Sequence, residues 1–435
     1  MRACFESLKS SWKWLRPGLK VKRWLALLAF GILCLSVGAS FIYVFLYRSV
    51  QVPEVVSPLA YYGTLQFLPH IARGLFLEVV GLLAVGIAIF RLNRSLVSAV
   101  HSPERGKLID ILYERSVSER GPRVVTIGGG TGLSSLLRGM KKRTNRLTAI
   151  VTMADDGGSS GRLRRDLGIP PPGDLRHCIS ALADDESLLA QLFEYRFGGS
   201  KGLNGHSMGN LFIAAMCEIT GNFERAVAES SKVLAVRGRI LPSTVDNVTL
   251  SAELAEVHDG ATHVQGESAI PEAGAPIERV YLHPEDARGY AEAVRAILEA
   301  DLIVIGPGSL YTSIMPNLLV NDICKAVRAA EALKVYVCNV ATQPGETDGY
   351  DAGDHIAAIE KHVGPDLVDY ILVNNNLERP LPAASLSQLV QPSYDAKYRD
   401  RVFLRDLVSK ENIWRHDPDK LATCLMQIYE EKSAR

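Results

Sequence analysis

A glycine-rich segment near residue 130 carries the residue types that suit the binding of a phosphate group. Residues 124–142, VVTIGGGTGLSSLLRGMKK, place four strand-forming residues directly before a run of glycines, and the leucines that follow recur at the spacing of one buried helix face. A strand, a glycine turn and a helix in this order direct free backbone N–H groups at an anion. The segment is not a Walker A loop, because no Gly-Lys-Ser/Thr follows. The alternative to phosphate binding is a purely structural glycine turn. The candidate contacts are Gly128, Gly129, Gly130, Thr131 and Gly132.

A second glycine-rich segment, DLIVIGPGSLYTSIMPNLLV at 301–320, repeats this arrangement. Its candidate contacts are Gly306, Gly308, Ser309, Tyr311 and Thr312. Open α/β sheets bind ligands outside the carboxyl ends of their strands, so two such loops predict a ligand with more than one phosphate. A plain strand-to-helix turn is the alternative here as well.

Acidic and small polar residues follow the next apolar run, in TMADDGGSSGRLRRDLGIPPPGDLRH at 152–177. Asp155 and Asp156 stand where an acid holds a ribose hydroxyl in dinucleotide folds, and adjacent carboxylates are also candidate ligands of Mg²⁺. Gly158 and Ser159 offer an unhindered amide and a hydroxyl. Asp174 follows three prolines, and the sequence leaves open whether it caps a helix or serves the site.

The segment NGHSMGN at 204–210 contains Gly-x-Ser-x-Gly, which is formally the nucleophile elbow of a serine hydrolase. That motif needs a strand immediately before the turn, and the preceding FGGSKGLN is not a strand sequence. We therefore expect a loop that leads into a helix near Asn210, with His206, Ser207 and Asn210 lining a ligand. A capped helix start without a ligand is the alternative.

The elements that must position these residues alternate between strands and helices. Strands are predicted over 124–127, 147–153, 301–306, 334–340 and 369–375, and helices over 185–197, 210–220, 223–236 and 290–300. This alternation predicts an α/β fold with a mostly parallel sheet and helices on both faces. Residues 244–282 break the pattern and predict a small β-rich insertion, while the polar loop at 339–348 is expected at the same strand ends.

The first hundred residues differ from the rest because they contain two long apolar runs. Residues 24–47 form an uncharged run of 24 residues, and residues 74–90 contain one acid, Glu78. The first run is long enough to span a bilayer. We expect a transmembrane helical hairpin within residues 1–95, a juxtamembrane linker at 96–120 and a soluble domain at 121–435. A single anchor followed by a buried helix is the alternative.

The basic residues of the chain predict its orientation. Many lie before the first run and several after the second, whereas the loop between the runs has few. The positive-inside rule then places both flanks in the cytoplasm, which makes this a multi-pass protein of the cell membrane with its large domain in the cytoplasm. The seven cysteines form no CxxC pair, which is typical of a reducing compartment. Zero formal net charge gives no reason to expect a nucleic-acid partner.

Six segments together are similar to one family: GGGTGLSSLLRG, ADDGGSSGRLR, PPGDLRHC, GHSMGNL, GPGSLYTSIMPNLLV and NVATQPGETDGY. In this order, over roughly residues 124–425, they resemble the gluconeogenesis-factor (YvcK-type) branch of the 2-phospho-L-lactate transferase-like (CofD-like) family. The resemblance implies a Rossmann-like fold, a nucleotide-sugar ligand of the UDP-N-acetylglucosamine kind, and a role in cell shape and cell wall synthesis during gluconeogenic growth. The membrane hairpin is not part of the usual soluble pattern.

Three functions remain open at this point. The first is a membrane-tethered nucleotide-sugar-binding regulator that requires no cofactor. The second is a phospholactyl-transferase-like enzyme that uses a nucleotide diphosphate conjugate and Mg²⁺, with Asp155 and Asp156 as candidate metal ligands and, with Asp174, as candidate catalytic residues. The third is an NAD(P)-dependent oxidoreductase. The sequence does not identify the base, the sugar or any protein partner, and it leaves the oligomeric state open, a homo-oligomer included.

Overall fold

The computed structural model describes residues 121–183, 188–199, 202–255, 263–378 and 385–433, with scattered positions between 32 and 86. The chain divides into two compact units, Met1–Ser116 and Val117–Arg435. Apart from those scattered positions, the predicted hairpin and its linker lie outside the described residues. Within the described residues, no helix is both long enough and apolar enough to cross a membrane.

The second unit is built on a parallel sheet. Its strands are β1 (Val124–Gly128), β2 (Leu147–Val151), β3 (Arg239–Pro242), β4 (Thr249–Leu254), β5 (His263–Gln265), β6 (Ile277–His283), β7 (Leu302–Ile305), β8 (Leu333–Val337), β9 (Tyr370–Asn374) and β10 (Val402–Arg405). Seven of them form one sheet in the order β10-β9-β8-β7-β1-β2-β3, and every neighbouring pair is parallel. The other three form an antiparallel sheet in the order β5-β4-β6.

Helices connect these strands. They are α1 (Gly130–Met140), α2 (Gly158–Leu167), α3 (Gly173–Leu182), α4 (Leu188–Glu194), α5 (Met208–Thr220), α6 (Phe223–Val233), α7 (Ala269–Glu272), α8 (Ala291–Leu298), α9 (Met315–Leu318), α10 (Asn321–Ala329), α11 (Ala352–Val363) and α12 (Pro418–Ser433). A π-helical turn, Leu310–Ile314, leads into α9. The leucine stripe of α1 is fully buried, and this helix packs against α3 and α12.

The core explains why the central strands could be predicted. All five residues of β1 and all five of β2 are buried, and so are all four of β7. Near-continuous apolar runs are typical of parallel strands covered on both faces. The predicted mostly parallel α/β fold is confirmed, and the small antiparallel sheet lies in the predicted β-rich insertion at 244–282, with its last strand ending one residue beyond that range. β3 and β10, the two outer strands of the parallel sheet, were not predicted from the sequence.

Candidate functional site

The two glycine-rich segments lie against each other at the carboxyl edge of the parallel sheet. β1 and β7 are neighbours, so the turns that follow them, loop 1 (128–132) and loop 2 (306–312), leave the sheet side by side. A Cβ placed on Gly132 would lie 2.7 Å from the Pro307 carbonyl oxygen. A Cβ on Gly308 would lie 3.3 Å from the Gly129 carbonyl oxygen. Gly132 leaves no room for a side chain and Gly308 leaves little, so the backbones of the two loops lie directly against each other.

Loop 1 turns into α1 through a left-handed residue. Gly130 has φ +60° and begins the helix, and the N-cap, Gly129, has no side chain to cap it. The first N–H groups of a helix lack intrahelical partners, so the start of α1 presents donors next to loop 2. Thr131 is exposed, while the buried Asn317 holds the loop by donating from Nδ2 to the Gly128 carbonyl (3.0 Å).

Asp174 lies against this helix start. Pro172 is the N-cap of α3, so the capping role considered for Asp174 is wrong, and the residue stands in the first turn of α3. Its carboxylate accepts a hydrogen bond from the Gly130 N–H. Burial first, and then the charge of Asp155, raise its pKa to about 7. At neutral pH this carboxyl therefore carries less negative charge than an ordinary aspartate does.

Asp155 and Asp156 point to different partners although they are adjacent in sequence. The Gly157 N–H donates to Asp155 Oδ1 (3.0 Å). Asp156 accepts from the Glu267 N–H (3.1 Å) and from the N–H (2.9 Å) and hydroxyl (2.8 Å) of Ser268, which connects the segment after β2 to the insertion. Among the described residues, no group of three or more His, Cys, Asp or Glu side chains is placed to hold a metal ion.

Sequence analysis did not single out Glu267, which adds a further carboxyl here. Burial, and after it the negative charges of Asp155 and Asp174, raise its pKa to about 8. Burial also raises the pKa of Asp155. The carboxyls of Asp155, Asp174 and Glu267 together thus carry less negative charge at neutral pH than three ordinary acidic side chains would. No sequence signal pointed to Glu267, because the insertion brings it to Asp156 from 111 residues away.

Ser159, His206 and Asn210 form a buried hydrogen-bonded cluster. Asn210 Nδ2 donates to Ser159 Oγ (3.1 Å), which leaves the serine hydroxyl to donate to His206 Nδ1 (2.9 Å). Burial lowers the pKa of His206, which favours the neutral imidazole that this bond requires. The cluster joins the starts of α2 and α5. Ser207 is fully buried and caps α5 by accepting from the Asn210 N–H (3.3 Å), so the Gly-x-Ser-x-Gly segment is a helix start.

Loop 2 is held by the polar loop that follows β8. Asn339 Nδ2 donates to the Gly308 carbonyl (2.9 Å), and Gln343 Nε2 donates to Ser309 Oγ. Glu346 accepts from Thr312 Oγ1 (3.0 Å) and from the Tyr311 N–H (3.3 Å), and burial raises its pKa to about 7. The expectation that this polar loop lies at the same strand ends is met.

The predicted site residues therefore separate into two groups. Those with exposed surface are Gly130, Thr131, Gly132, Asp155, Asp156, Gly158, Asp174, Gly308 and Ser309. Those that are buried are Gly128, Gly129, Ser159, Asn210, Gly306, Tyr311 and Thr312. The first group offers backbone amides, hydroxyls and carboxyls to a ligand, while the second holds the loops in place.

The parallel sheet and its connecting helices define a Rossmann-like α/β protein. Its candidate ligand site lies at the carboxyl edge of the sheet, where loops 1 and 2 meet. Within that class, the chain belongs to the family 2-phospho-L-lactate transferase CofD, which matches residues 124–408. This agrees with the resemblance drawn from the six segments.

Curated relatives carry a narrower name. The protein named "Gluconeogenesis factor" of Bacillus subtilis (strain 168) is 49% identical over 317 residues, which cover 71% of this chain and 99% of the relative. The protein named "Putative gluconeogenesis factor" of Nostoc sp. (strain PCC 7120) is 45% identical over 430 residues, 96% of this chain and 92% of the relative. The gluconeogenesis-factor branch of the family is therefore confirmed.

A solved structure has the same fold. The crystal structure of a UPF0052 family member from Bacillus halodurans superimposes with a TM-score of 0.65 at 47% identity, covering 70% of this chain and 99% of that one. That relative consists of the matched part alone. Since Val117–Arg435 is also a compact unit by itself here, this part of the chain is suited to study as an isolated domain.

Proposed function

We propose that this protein is a membrane-tethered cytoplasmic regulator that binds a nucleotide sugar of the UDP-N-acetylglucosamine kind, and that it acts in cell shape and cell wall synthesis during gluconeogenic growth. The observation that supports ligand binding best is the backbone contact between loop 1 and loop 2. A diphosphate has two charged groups close together, which suits two adjoining sets of backbone donors. The names of the relatives support the link to gluconeogenic growth.

The surroundings of the loops suit such a ligand electrostatically. The start of α1 contributes the positive end of a helix dipole. The nearby carboxyls of Asp174 and Glu267 have pKa values raised to about 7 and about 8, so they repel a diphosphate less than ionised acids would. In this proposal Asp155 accepts a hydrogen bond from a hydroxyl of the ribose or sugar, which is the role of an acid after the second strand in dinucleotide folds.

The test measures ligand binding to residues 117–435 by calorimetry, with UDP-N-acetylglucosamine, other nucleotide sugars and NAD⁺ as titrants. We expect the nucleotide sugar to bind and Gly130→Val to abolish binding, because the side chain blocks close backbone approach. Gly221→Val is the matched control, since Gly221 has φ +66° at the end of α5 and open space around it. Equal binding by the Gly130→Val variant and its parent would show that loop 1 is only a structural turn. Tight NAD⁺ binding with hydride transfer would instead favour the oxidoreductase.

One observation favours the transferase as a second candidate. Asp174, with a pKa of about 7 beside the Gly130 N–H, has the proton affinity of a general acid or base at neutral pH. Asp155 and Asp156 remain the candidate ligands for Mg²⁺ in this alternative. Incubation with UDP-N-acetylglucosamine, Mg²⁺ and candidate acceptors tests it. Steady turnover that Asp174→Asn or the double variant Asp155→Asn/Asp156→Asn removes would replace the binding-only proposal.

A further inference from the structure

A cavity lies at the amino edge of the parallel sheet, at the opposite strand ends from loops 1 and 2. Its volume is about 360 Å³, and its walls are formed by the starts of β1, β2 and β3 and by the end of α8. Cavities that hold small molecules begin at about 300 Å³. This volume therefore accommodates a compact metabolite.

Three arginines face this cavity from adjacent strands. Val124 pairs with Leu147, so Arg123 and Arg146, one residue earlier, are neighbours across β1 and β2. Arg239 pairs with Thr148 across β2 and β3. Side chains two residues apart in a strand share a face, and neighbouring strands lie about 4.8 Å apart. The register thus brings three guanidinium groups to one side of one sheet edge, and all three line the cavity.

Two of these arginines form no direct ion pair within the described residues. Arg123 is paired with Asp301 (2.8 Å), and the carboxylate of the cavity wall, Glu299, is paired with Arg295 (2.7 Å). Arg146 and Arg239 form no ion pair within the described residues. The cavity consequently has an excess of positive charge.

The remaining polar groups of the cavity are hydrogen-bond donors or can act as donors. Asn145 contributes an amide, and Thr148 contributes a hydroxyl that accepts from Arg239 Nη2 (3.4 Å) and keeps its own proton to donate. Gly238 has φ +116°, and a Cβ there would lie 2.6 Å from the Leu147 carbonyl oxygen. This glycine lets β3 begin close to β2, and it thereby sets Arg239 over the cavity.

We propose that this cavity is a second ligand site that binds a phosphate group through Arg146 and Arg239. Guanidinium forks match the geometry of phosphate oxygens, and the neighbouring hydroxyl and amide donate to the same kind of acceptor. Since the cavity lies at the edge away from loops 1 and 2, both sites can be occupied together. A phosphorylated small molecule bound here is then placed to regulate the protein independently of the ligand at the loops. A phosphate in a lipid headgroup has the same chemistry, so the experiment distinguishes the two sources.

The test titrates pyrophosphate into residues 117–435 by calorimetry, in the Gly130→Val background so that binding at loop 1 does not contribute. We expect binding that weakens as salt is added. Arg146→Gln and Arg239→Gln should each weaken it by about tenfold or more, and the double variant further. Arg143→Gln is the matched control, because Arg143 is an exposed arginine close in sequence whose guanidinium donates to Thr423 (2.7 Å) and lies outside the cavity. Circular dichroism verifies that each variant is folded.

A second arm uses sedimentation with vesicles of phosphatidylcholine, with and without phosphatidylglycerol. Pyrophosphate binding without sedimentation assigns the site to free phosphorylated molecules. Sedimentation that requires phosphatidylglycerol, Arg146 and Arg239 assigns it to lipid headgroups. The proposal is overturned if neither probe binds, or if the double variant binds both probes as the parent does. Nucleotide-sugar binding in the Arg146→Gln/Arg239→Gln variant is measured separately, so either site can fail without the other.

Discussion

A methyl group added at Gly132 should separate the two glycine loops. In Gly132→Ala the new Cβ would lie 2.7 Å from the Pro307 carbonyl oxygen and 2.9 Å from Gly308 Cα. Both are backbone atoms, so no side-chain rotation relieves the contact. Normal carbon–carbon and carbon–oxygen contacts are about 3.5 Å, so the loops must move apart by roughly 0.5–1 Å.

The loss of stability in Gly132→Ala can be estimated from the crowding that the added methyl group causes. Adding a methyl group to a tightly packed position costs about 1–3 kcal/mol of the free energy of unfolding. Gly221→Ala provides a control of similar size, because Gly221 has φ +66° with nothing within 4 Å, and an alanine in that conformation costs about 1–2 kcal/mol. The two variants should therefore lose similar stability, but only the change at Gly132 displaces loop 1 relative to loop 2.

The assay combines urea unfolding of residues 117–435 with calorimetric titration of UDP-N-acetylglucosamine. If the ligand bridges both loops, Gly132→Ala should lose about tenfold or more in affinity, because displaced amides no longer reach both phosphates. Gly221→Ala should bind as the parent does. The reasoning is refuted if Gly132→Ala keeps both the stability and the affinity of the parent, since the loop contact would then be neither tight nor shared by a ligand.

Three further predictions concern the buried acid, the serine cluster and the membrane segment. The pKa of Glu267, raised to about 8 from an ordinary value of 4.5, means that the folded state binds more protons than the unfolded state between these values. The contribution of Glu267 to stability is fully present below about pH 4.5 and is lost as the pH rises through about 8. Glu267→Gln should therefore flatten the decline of the free energy of unfolding between about pH 5 and 8. An unchanged slope would contradict the raised pKa of Glu267. Ser159→Ala should lower the unfolding free energy by about 1–3 kcal/mol, because His206 and Asn210 are left buried without their partner, and a loss below about 0.5 kcal/mol would argue against the cluster. Cysteine labelling of intact cells should find residues 48–70 outside and the region after 121 inside, whereas labelling of that region from outside would overturn the predicted topology.

The parts of the fold that sequence predicted are those that burial makes distinctive. β1, β2 and β7 lie in the middle of the sheet and are buried throughout, so they appear as continuous apolar runs. β3 and β10 are outer strands of four residues each, and β10 is half-exposed along its whole length. Their short runs, RILP and VFLR, resemble many loop sequences, and only pairing with a neighbouring strand identifies them.

The candidate site was predictable in position but not in the direction of its side chains. Glycines and polar residues after apolar runs locate the carboxyl edge of the sheet. Ser159 and Thr312 were expected to donate to a ligand, yet their hydroxyls are hydrogen-bonded to His206 and Glu346, which are 47 and 34 residues away in sequence. Asp156 is likewise held by the insertion, 111 residues away. The spacing of residues in the sequence does not reveal hydrogen-bond partners that are this distant along the chain. It therefore does not separate residues that contact a ligand from residues that keep the loops in place.

Two carboxyls with raised pKa values should make the binding of an anionic ligand depend on pH. Asp174 adjoins the Gly130 N–H and has a pKa of about 7, while Glu267 has a pKa of about 8. A diphosphate bound at loop 1 adds negative charge near both groups and raises their pKa values further. Binding near pH 7 should therefore take up protons, and affinity should fall as the pH rises through 7 to 8.

Calorimetry in two buffers measures this uptake directly. Titrations of UDP-N-acetylglucosamine at pH 7 in HEPES and in Tris should give different heats, since Tris releases its protons with the larger enthalpy. Asp174→Asn should reduce the difference, while Glu229→Gln, at an exposed carboxyl paired with Lys232, should leave it unchanged. Equal heats in both buffers for the parent protein would mean that the ligand lies away from the acids beside loop 1, and the binding site would have to be sought elsewhere on the carboxyl edge.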